Sequence, residues 1–218
     1  MHALIINGSP RVKKYSNTDK ILLKFTEGMA GSGSTFEQYE ISDCLQWEKI
    51  RKAFSENENI LIALPLYVEN IPGLLLEFLS TVEPRNGEAK MSFILQSGFA
   101  EGCQLRCGEA YLEKLAGRLG CSYGGTLVKG DNFSIRLFEG EQREKVTGRY
   151  TAMGRIYGRD GNFSDPACKA FTGPEVFPLP IRLLVGLMMK TLAKRGFDKA
   201  AKGWGCERPL GDRPYAVR

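Results

Sequence analysis

The feature that most constrains this chain is its opening stretch. Ala3-Leu4-Ile5-Ile6 is an unbroken apolar run, followed by Asn7-Gly8-Ser9-Pro10-Arg11 and then by Ser16-Asn17-Thr18 leading into Asp19-Lys20-Ile21-Leu22-Leu23. Four apolar residues in a row suit a central strand of a parallel sheet, buried on both faces. Gly8 permits a sharp turn or a close approach to a ligand, and Pro10 stops the strand from continuing. Ser16, Asn17 and Thr18 fall where a helix begins, with its unpaired N–H groups and the positive end of its dipole. Such a loop suits a phosphate. The same residues also suit an ordinary βα connection with a Ser or Asn N-cap, and the loop by itself does not choose between the two.

Further along, apolar strands alternate with helical patterns. Asn17 to Met29 reads as a helix with Ile21, Leu22, Phe25 and Met29 near one face, and Thr35 to Ile41 alternates like an edge strand. Leu45 to Phe54 is a polar-faced helix, and Asn59 to Leu64 is a second uninterrupted apolar strand, stopped by Pro65. A long loop, Pro65 to Gly73, precedes a helix over Leu74 to Val82. Lys90 to Gln96 is the fourth strand and Ser97 to Gly102 a third unusual loop. A helix over Cys103 to Leu119 follows, with Leu105, Leu112, Leu115 and Leu119 on its apolar side, and then a strand over Cys121 to Val128.

This alternation implies βαβ crossovers and a parallel sheet covered on both faces. The expected fold is α/β, a doubly wound five-stranded parallel sheet of flavodoxin-like order 2-1-3-4-5 with a helical C-terminal extension. The expected division is a domain over 1–129 and an extension over 130–218. In this topology ligands bind beyond the carboxyl ends of strands one, three and four, where the loops 8–18, 65–72 and 97–102 all fall.

Several chemistries are excluded. After Gly8 no glycine appears before Gly28, so there is no G-x-G-x-x-G loop, and no G-K-[ST] follows the first strand. The loop has no cysteine, which removes a phosphatase of the C-x₅-R type. The only histidine is His2 and no C-x-x-C pair exists, so no metal site is expected. Six cysteines read as free thiols, with Cys103 and Cys107 as two small apolar residues on one helix face or as a redox pair. A net charge of +5 is compatible with anionic ligands but far from the profile of a nucleic-acid binder. Met1-His2 leads into the first strand without a basic leader, and the apolar run Leu183 to Met189 is too short to span a bilayer, so a cytoplasmic protein is expected.

With these residues in view, the chain resembles the flavodoxin-like NAD(P)H-dependent FMN reductase family, which includes the iron–sulfur flavoproteins and quinone reductases. Gly8-Ser9-Pro10-Arg11 with Ser16-Asn17-Thr18 is similar to the family's phosphate loop. Pro65-Leu66-Tyr67-Val68-Glu69-Asn70-Ile71-Pro72-Gly73-Leu74-Leu75 is similar to its P-x-Y-x-x-x-x-P-x-x-L segment. Ser97-Gly98-Phe99-Ala100-Glu101-Gly102 resembles its Ser-Gly-Gly turn, with Phe99 in place of a glycine. Leu76 and Glu77 depart from the lysine common in that helix, and the clustered cysteines of the iron–sulfur branch are missing. The resemblance covers residues 1 to about 128.

It implies FMN as cofactor, NADH or NADPH as hydride donor, and a small acceptor such as a quinone. The FMN phosphate would lie on Ser9, Arg11, Ser16, Asn17 and Thr18. The ring would lie on Pro65, Leu66, Tyr67, Val68 and Asn70, with its other edge against Ser97, Gly98, Phe99 and Glu101. No catalytic residue is expected, because the flavin carries the chemistry. The alternative is a flavodoxin-type electron carrier, although flavodoxins are usually acidic and use a T-x-T-G-x-T loop. Residues 181–202 set six cations beside an apolar stripe. That pattern suits a homodimer arm, a cover over the active site, a membrane-surface helix or a helix packed on its own domain.

Overall fold

The computed structural model describes residues 1–86 and 88–213. The first unit is built on five strands: β1 (His2–Asn7), β2 (Thr35–Glu40), β3 (Asn59–Pro65), β4 (Lys90–Gln96) and β5 (Ser122–Lys129). All pair in parallel in the order β2-β1-β3-β4-β5. This is the flavodoxin-like fold anticipated from the alternation of elements.

The sheet is buried on both sides, and the period of two along its strands sorts the core. Leu4 and Ile6, Ile60, Ile62 and Leu64, and Met91, Phe93 and Leu95 face one layer. There they meet α2 (Trp47–Glu56) through Ile50 and Phe54, and α3 (Gly73–Leu79) through Leu75 and Phe78. They also meet α4 (Arg106–Arg118), through Leu112 and Leu115. Ala3, Ile5, Leu61, Ala63 and Ile94 face the other layer, where α1 (Asn17–Gly31) presents Ile21, Leu22, Phe25 and Met29. Each such fully buried Leu or Ile contributes about 1.5–3 kcal/mol. Four buried anchors therefore hold α1, and with it the loop at its N-terminus, against the sheet.

The boundary expected at 129/130 lies elsewhere. The first compact unit runs from Met1 to Glu175 and the second from Val176 to Arg218. Residues 130–175 join the first unit because α6 (Arg149–Asp160), which follows α5 (Gly140–Thr147), lies against α1 and completes its layer. Tyr150, Met153 and Tyr157 enter that core. The two helices touch through glycines: a Cβ on Gly28 would come within 2.0 Å of the Thr151 carbonyl oxygen, and one on Gly154 within 1.9 Å of that of Phe25. The helical stretch over residues 140–160 is thus two helices, broken at Gly148. The Gly-, Pro- and Asp-containing stretch after α6 holds α7 (Pro166–Phe171), capped by Asp165, whose Oδ1 accepts from the Ala167 N–H at 2.8 Å.

The second unit is helical. It holds α8 (Leu179–Met188), a wide π turn over Met189–Ala193, and α9 (Lys194–Gly203). Among the described residues no helix is long and apolar enough to cross a membrane.

Candidate functional site

Parallel order that reverses direction between β1 and β3, with crossovers on both faces, creates a crevice at the carboxyl ends of β1, β3 and β4. The loop after β1 is held by its own side chains. Ser9 is buried; its N–H donates to Asn7 Oδ1 at 3.1 Å, and its Oγ accepts from the Arg11 N–H at 3.3 Å. Ser16 is the N-cap of α1, with its Oγ accepting from the Asp19 N–H at 3.2 Å. Both hydroxyls thus act as acceptors toward the chain. The N–H groups of Asn17 and Thr18, at the first helical positions, have no intrahelical acceptor. Lys20 Nζ donates to the carbonyls of Lys14 (3.1 Å) and Ser16 (3.0 Å), tying the loop to the helix it feeds. Burial holds the Lys20 ammonium below its usual range, with Arg143 adding to the effect. Gly8 has no room for a side chain: a Cβ would stand 2.9 Å from Leu75 Cδ2, and its N–H already donates to the Ala63 carbonyl at 2.7 Å.

The loop after β3 begins with Pro65 still inside the ladder, opposite Gln96, and the Leu66 N–H donates to the Gln96 carbonyl at 2.8 Å. Tyr67 and Asn70 then exchange main-chain bonds of 2.8 and 3.0 Å around a two-residue turn. Its central residues, Val68 (φ 49°) and Glu69 (φ 62°), both adopt left-handed backbone, a turn usually made by Asn and Gly. The Val68 side chain is 95% exposed. Asn70 Oδ1 accepts from the Ile71 N–H at 2.9 Å, so its carbonyl end serves the loop itself.

In the loop after β4 the Phe99 N–H donates to Ser97 Oγ at 3.2 Å, and the Phe99 carbonyl accepts from the Asp131 N–H at 2.8 Å. A fourth loop, after β5, joins the site and was not anticipated. Asn132 in this loop is fully buried. Its Nδ2 donates to the Lys129 carbonyl (2.9 Å), its Oδ1 accepts from the Tyr150 hydroxyl (3.2 Å), and its N–H donates to the Ser97 carbonyl (3.0 Å). Its own carbonyl accepts from Asn17 Nδ2 at 2.9 Å. Arg136, one 3₁₀ turn on, lays its guanidinium 4.2 Å from the centre of the Phe133 ring.

Between these loops lies a cleft of about 250 Å³. Of the residues expected at a site, Arg11, Asn17, Pro65, Leu66, Tyr67, Ser97 and Gly98 line it. Gln96, Asn132, Phe133 and Arg136 are additions. Ser9, Ser16 and Thr18 are buried in the structure of the first loop, Thr18 accepting from Gln96 Nε2 at 3.4 Å. Val68, Asn70, Phe99 and Glu101 are not among the lining residues. Phe99 is 60% exposed, and Glu101 precedes a 3₁₀ turn over Gly102–Leu105.

One atom of the cleft is left unsatisfied. Asn17 Oδ1 is buried without a hydrogen-bond partner, while the Nδ2 of the same amide is committed to Asn132. The amide therefore offers an acceptor, which suits a ligand hydroxyl rather than a phosphate oxygen. With two arginines, two helix N–H groups and two aromatic rings alongside, the donor set fits an anionic ligand that carries hydroxyls and a planar ring. Elsewhere, Cys103, in the 3₁₀ turn over Gly102–Leu105, and Cys107, in α4, are both free and exposed. Among the described residues no cluster of His, Cys, Asp and Glu is arranged to hold a metal.

No protein-family model and no curated protein sequence matches the chain. Solved structures do. An FMN-dependent NADH-azoreductase from Bacillus anthracis in complex with FMN superposes with a TM-score of 0.54 at 16% identity, covering 73% of this chain and 98% of that one. An NADH:FMN oxidoreductase in its apo form gives 0.55 at 15% identity, over 79% and 96% of the two chains. An NAD(P)H:quinone oxidoreductase from Methanothermobacter marburgensis gives 0.52 at 17% identity, over 73% and 98%. At these identities the likeness establishes the fold.

Proposed function

We propose that this chain is an FMN-dependent oxidoreductase that passes a hydride from NADH or NADPH to a small acceptor such as a quinone. The observation that carries the reading is the cleft itself. It sits at the switch point of the sheet with the N-terminus of α1 on one wall, Tyr67 on another, and the unpartnered Asn17 Oδ1 between loops. The superposed proteins named as FMN-dependent or FMN-reducing, and the quinone oxidoreductase, support it.

The residues present fit FMN. The N-terminus of α1, shaped by the buried Ser9 and Ser16, would take the phosphate through the N–H groups of Asn17 and Thr18, with Arg11 adding a charge-assisted contact. Asn17 Oδ1 would accept from a ribityl hydroxyl. Leu66, Tyr67 and Phe133 would pack on the ring, and main-chain groups at Ser97 and Gly98 would meet its edge. When bound, FMN supplies a ring able to accept and release a hydride. The protein need only bind and orient that ring and leave one face open to a nicotinamide, so no acid–base dyad is required. A cytoplasmic location and a small-molecule acceptor belong to the same proposal.

A second reading, an FMN-binding electron carrier, is favoured by one specific observation. Phe133 lines the cleft together with Tyr67, and two rings suit a shielded flavin. The experiment separates the two. The purified protein should show flavin absorbance near ~450 nm. NADH or NADPH alone should bleach it anaerobically, and a quinone should restore it. Flavin that resists both nucleotides yet is reduced by dithionite would establish the carrier. A protein that neither retains nor binds FMN would end both readings.

A further inference from the structure

α8 is apolar around almost its whole circumference, yet it buries none of its side chains. Leu179, Ile181, Leu183, Leu184, Leu187 and Met188 are all exposed, and Arg182 is its single charge. A helix apolar on all sides is normally enclosed by protein or lipid. Beyond the π turn the pattern changes. α9 gathers Lys194, Arg195, Lys199 and Lys202, with Asp198, against Phe197, Ala200 and Ala201. Trp204 follows at once, 83% exposed.

The charge of the chain is concentrated here. Residues 176–218 hold nine Lys and Arg against three Asp and Glu, a net of +6, and residues 1–175 are left at −1. This distribution decides between occupants. A second copy of the segment would bring two strongly cationic surfaces together, which costs energy. An anionic lipid surface attracts the same surface, by about a factor of five for each Lys or Arg near it. The helices are too short and too charged to span a bilayer. A segment of this kind lies in the plane of the interface, with lysine stems reaching toward headgroups and a tryptophan at the boundary.

We propose that residues 179–204 bind the surface of an anionic lipid bilayer, α8 entering the acyl boundary and α9 lying against the phosphate headgroups. The proposal rests on the second unit's own helices and does not depend on the flavin reading.

The test uses the full chain with vesicles of phosphatidylcholine alone or mixed with phosphatidylglycerol. Sedimentation should carry the protein down with the mixed vesicles and much less with the neutral ones. Lys194→Gln and Lys199→Gln should each weaken binding about fivefold, and high salt should do the same. Tryptophan emission should shift to the blue on binding. Trp204→Phe should remove the shift, since the other tryptophan, Trp47, is fixed by an indole N–H bond to the Ile41 carbonyl at 2.9 Å. Leu183→Asp with Leu187→Asp, at exposed positions that the fold does not need, should abolish both binding and shift. Three results would each overturn the proposal: no binding to either vesicle, equal binding to both without salt dependence, or a protein that leaves vesicles alone but forms a dimer dissolved by the two aspartates.

Discussion

Asn17 donates from Nδ2 to the main-chain carbonyl of Asn132, 2.9 Å away and 115 residues along the chain. The bond joins the start of α1 to the loop after β5. Asn132 in turn holds Lys129, Ser97 and Tyr150, so one buried amide and its backbone tie together three of the four loops and two helices around the cleft. Because every donor of the Asn132 side chain and main chain that faces these partners is used, the cleft wall is a connected polar network.

Asn132→Ala should therefore cost about 2–3 kcal/mol in urea unfolding, since it strands the Tyr150 hydroxyl in the interior and leaves the Lys129 carbonyl with the Ser97 N–H alone. It should also weaken FMN binding by displacing Phe133 and Asn17. Tyr150→Phe removes only one end of one bond, and should cost about 1 kcal/mol with little change in FMN affinity. Equal effects of the two substitutions would show that the network does not act through Asn132.

Much of this was legible in the sequence, and the reasons are physical. β1 and β3 are buried on both faces and appear as unbroken apolar runs, β4 is apolar but for Ser92 between its ends, and topology then places the loops that follow them on one edge. The fourth loop was not legible. Asn132, Phe133 and Arg136 follow a strand interrupted by Gly124 and Gly125, and their roles depend on contacts to residues 97, 17 and 150 that no local pattern encodes. The end of the domain was missed for a related reason. α6 joins the core through Gly154, and a glycine against a neighbouring backbone looks like a weak helix position until the facing helix is seen.

Val68 carries a β-branched side chain at φ 49°, a conformation that disfavours it. Asn tolerates left-handed backbone far better, so Val68→Asn should stabilise the protein by about 0.5–1 kcal/mol, read as a raised urea midpoint. The side chain is exposed, so no core packing is lost. A lowered midpoint would show that valine makes a contact worth more than the strain.

Asp19, in the first turn of α1, has its carboxyl pushed above the usual carboxylate range by burial, a rise that Lys13 and Lys20 partly offset. A raised acid binds its proton more tightly in the folded state. Its contribution is therefore favourable at low pH and is lost as pH climbs from the ordinary carboxylate value through the raised one. Asp19→Asn removes that loss. The variant should match the native protein below about pH 3.5 and exceed it in stability near neutral pH. A neutral-pH deficit would mean that the helix dipole and Lys13 outweigh burial.

The phosphate assignment has a sharper test at Ser16. An aspartate there can cap the helix as the serine does, accepting from the Asp19 N–H, so the helix start is preserved. What changes is the charge at the end of α1. A carboxylate about 5 Å from a phosphate dianion repels it by about 3 kcal/mol at an effective dielectric of ~45, between a protein surface and bulk water, roughly a hundredfold in affinity. Ser16→Asp should therefore weaken FMN by about that factor while leaving riboflavin, which has no phosphate, nearly unaffected. Ser16→Ala serves as the control for lost capping, and should lower stability by about 1 kcal/mol without discriminating so strongly between the two flavins. Fluorescence titration of both ligands reads the difference directly. Equal losses for FMN and riboflavin in Ser16→Asp would place the phosphate away from the N-terminus of α1, and the orientation proposed for the cofactor would have to be reversed.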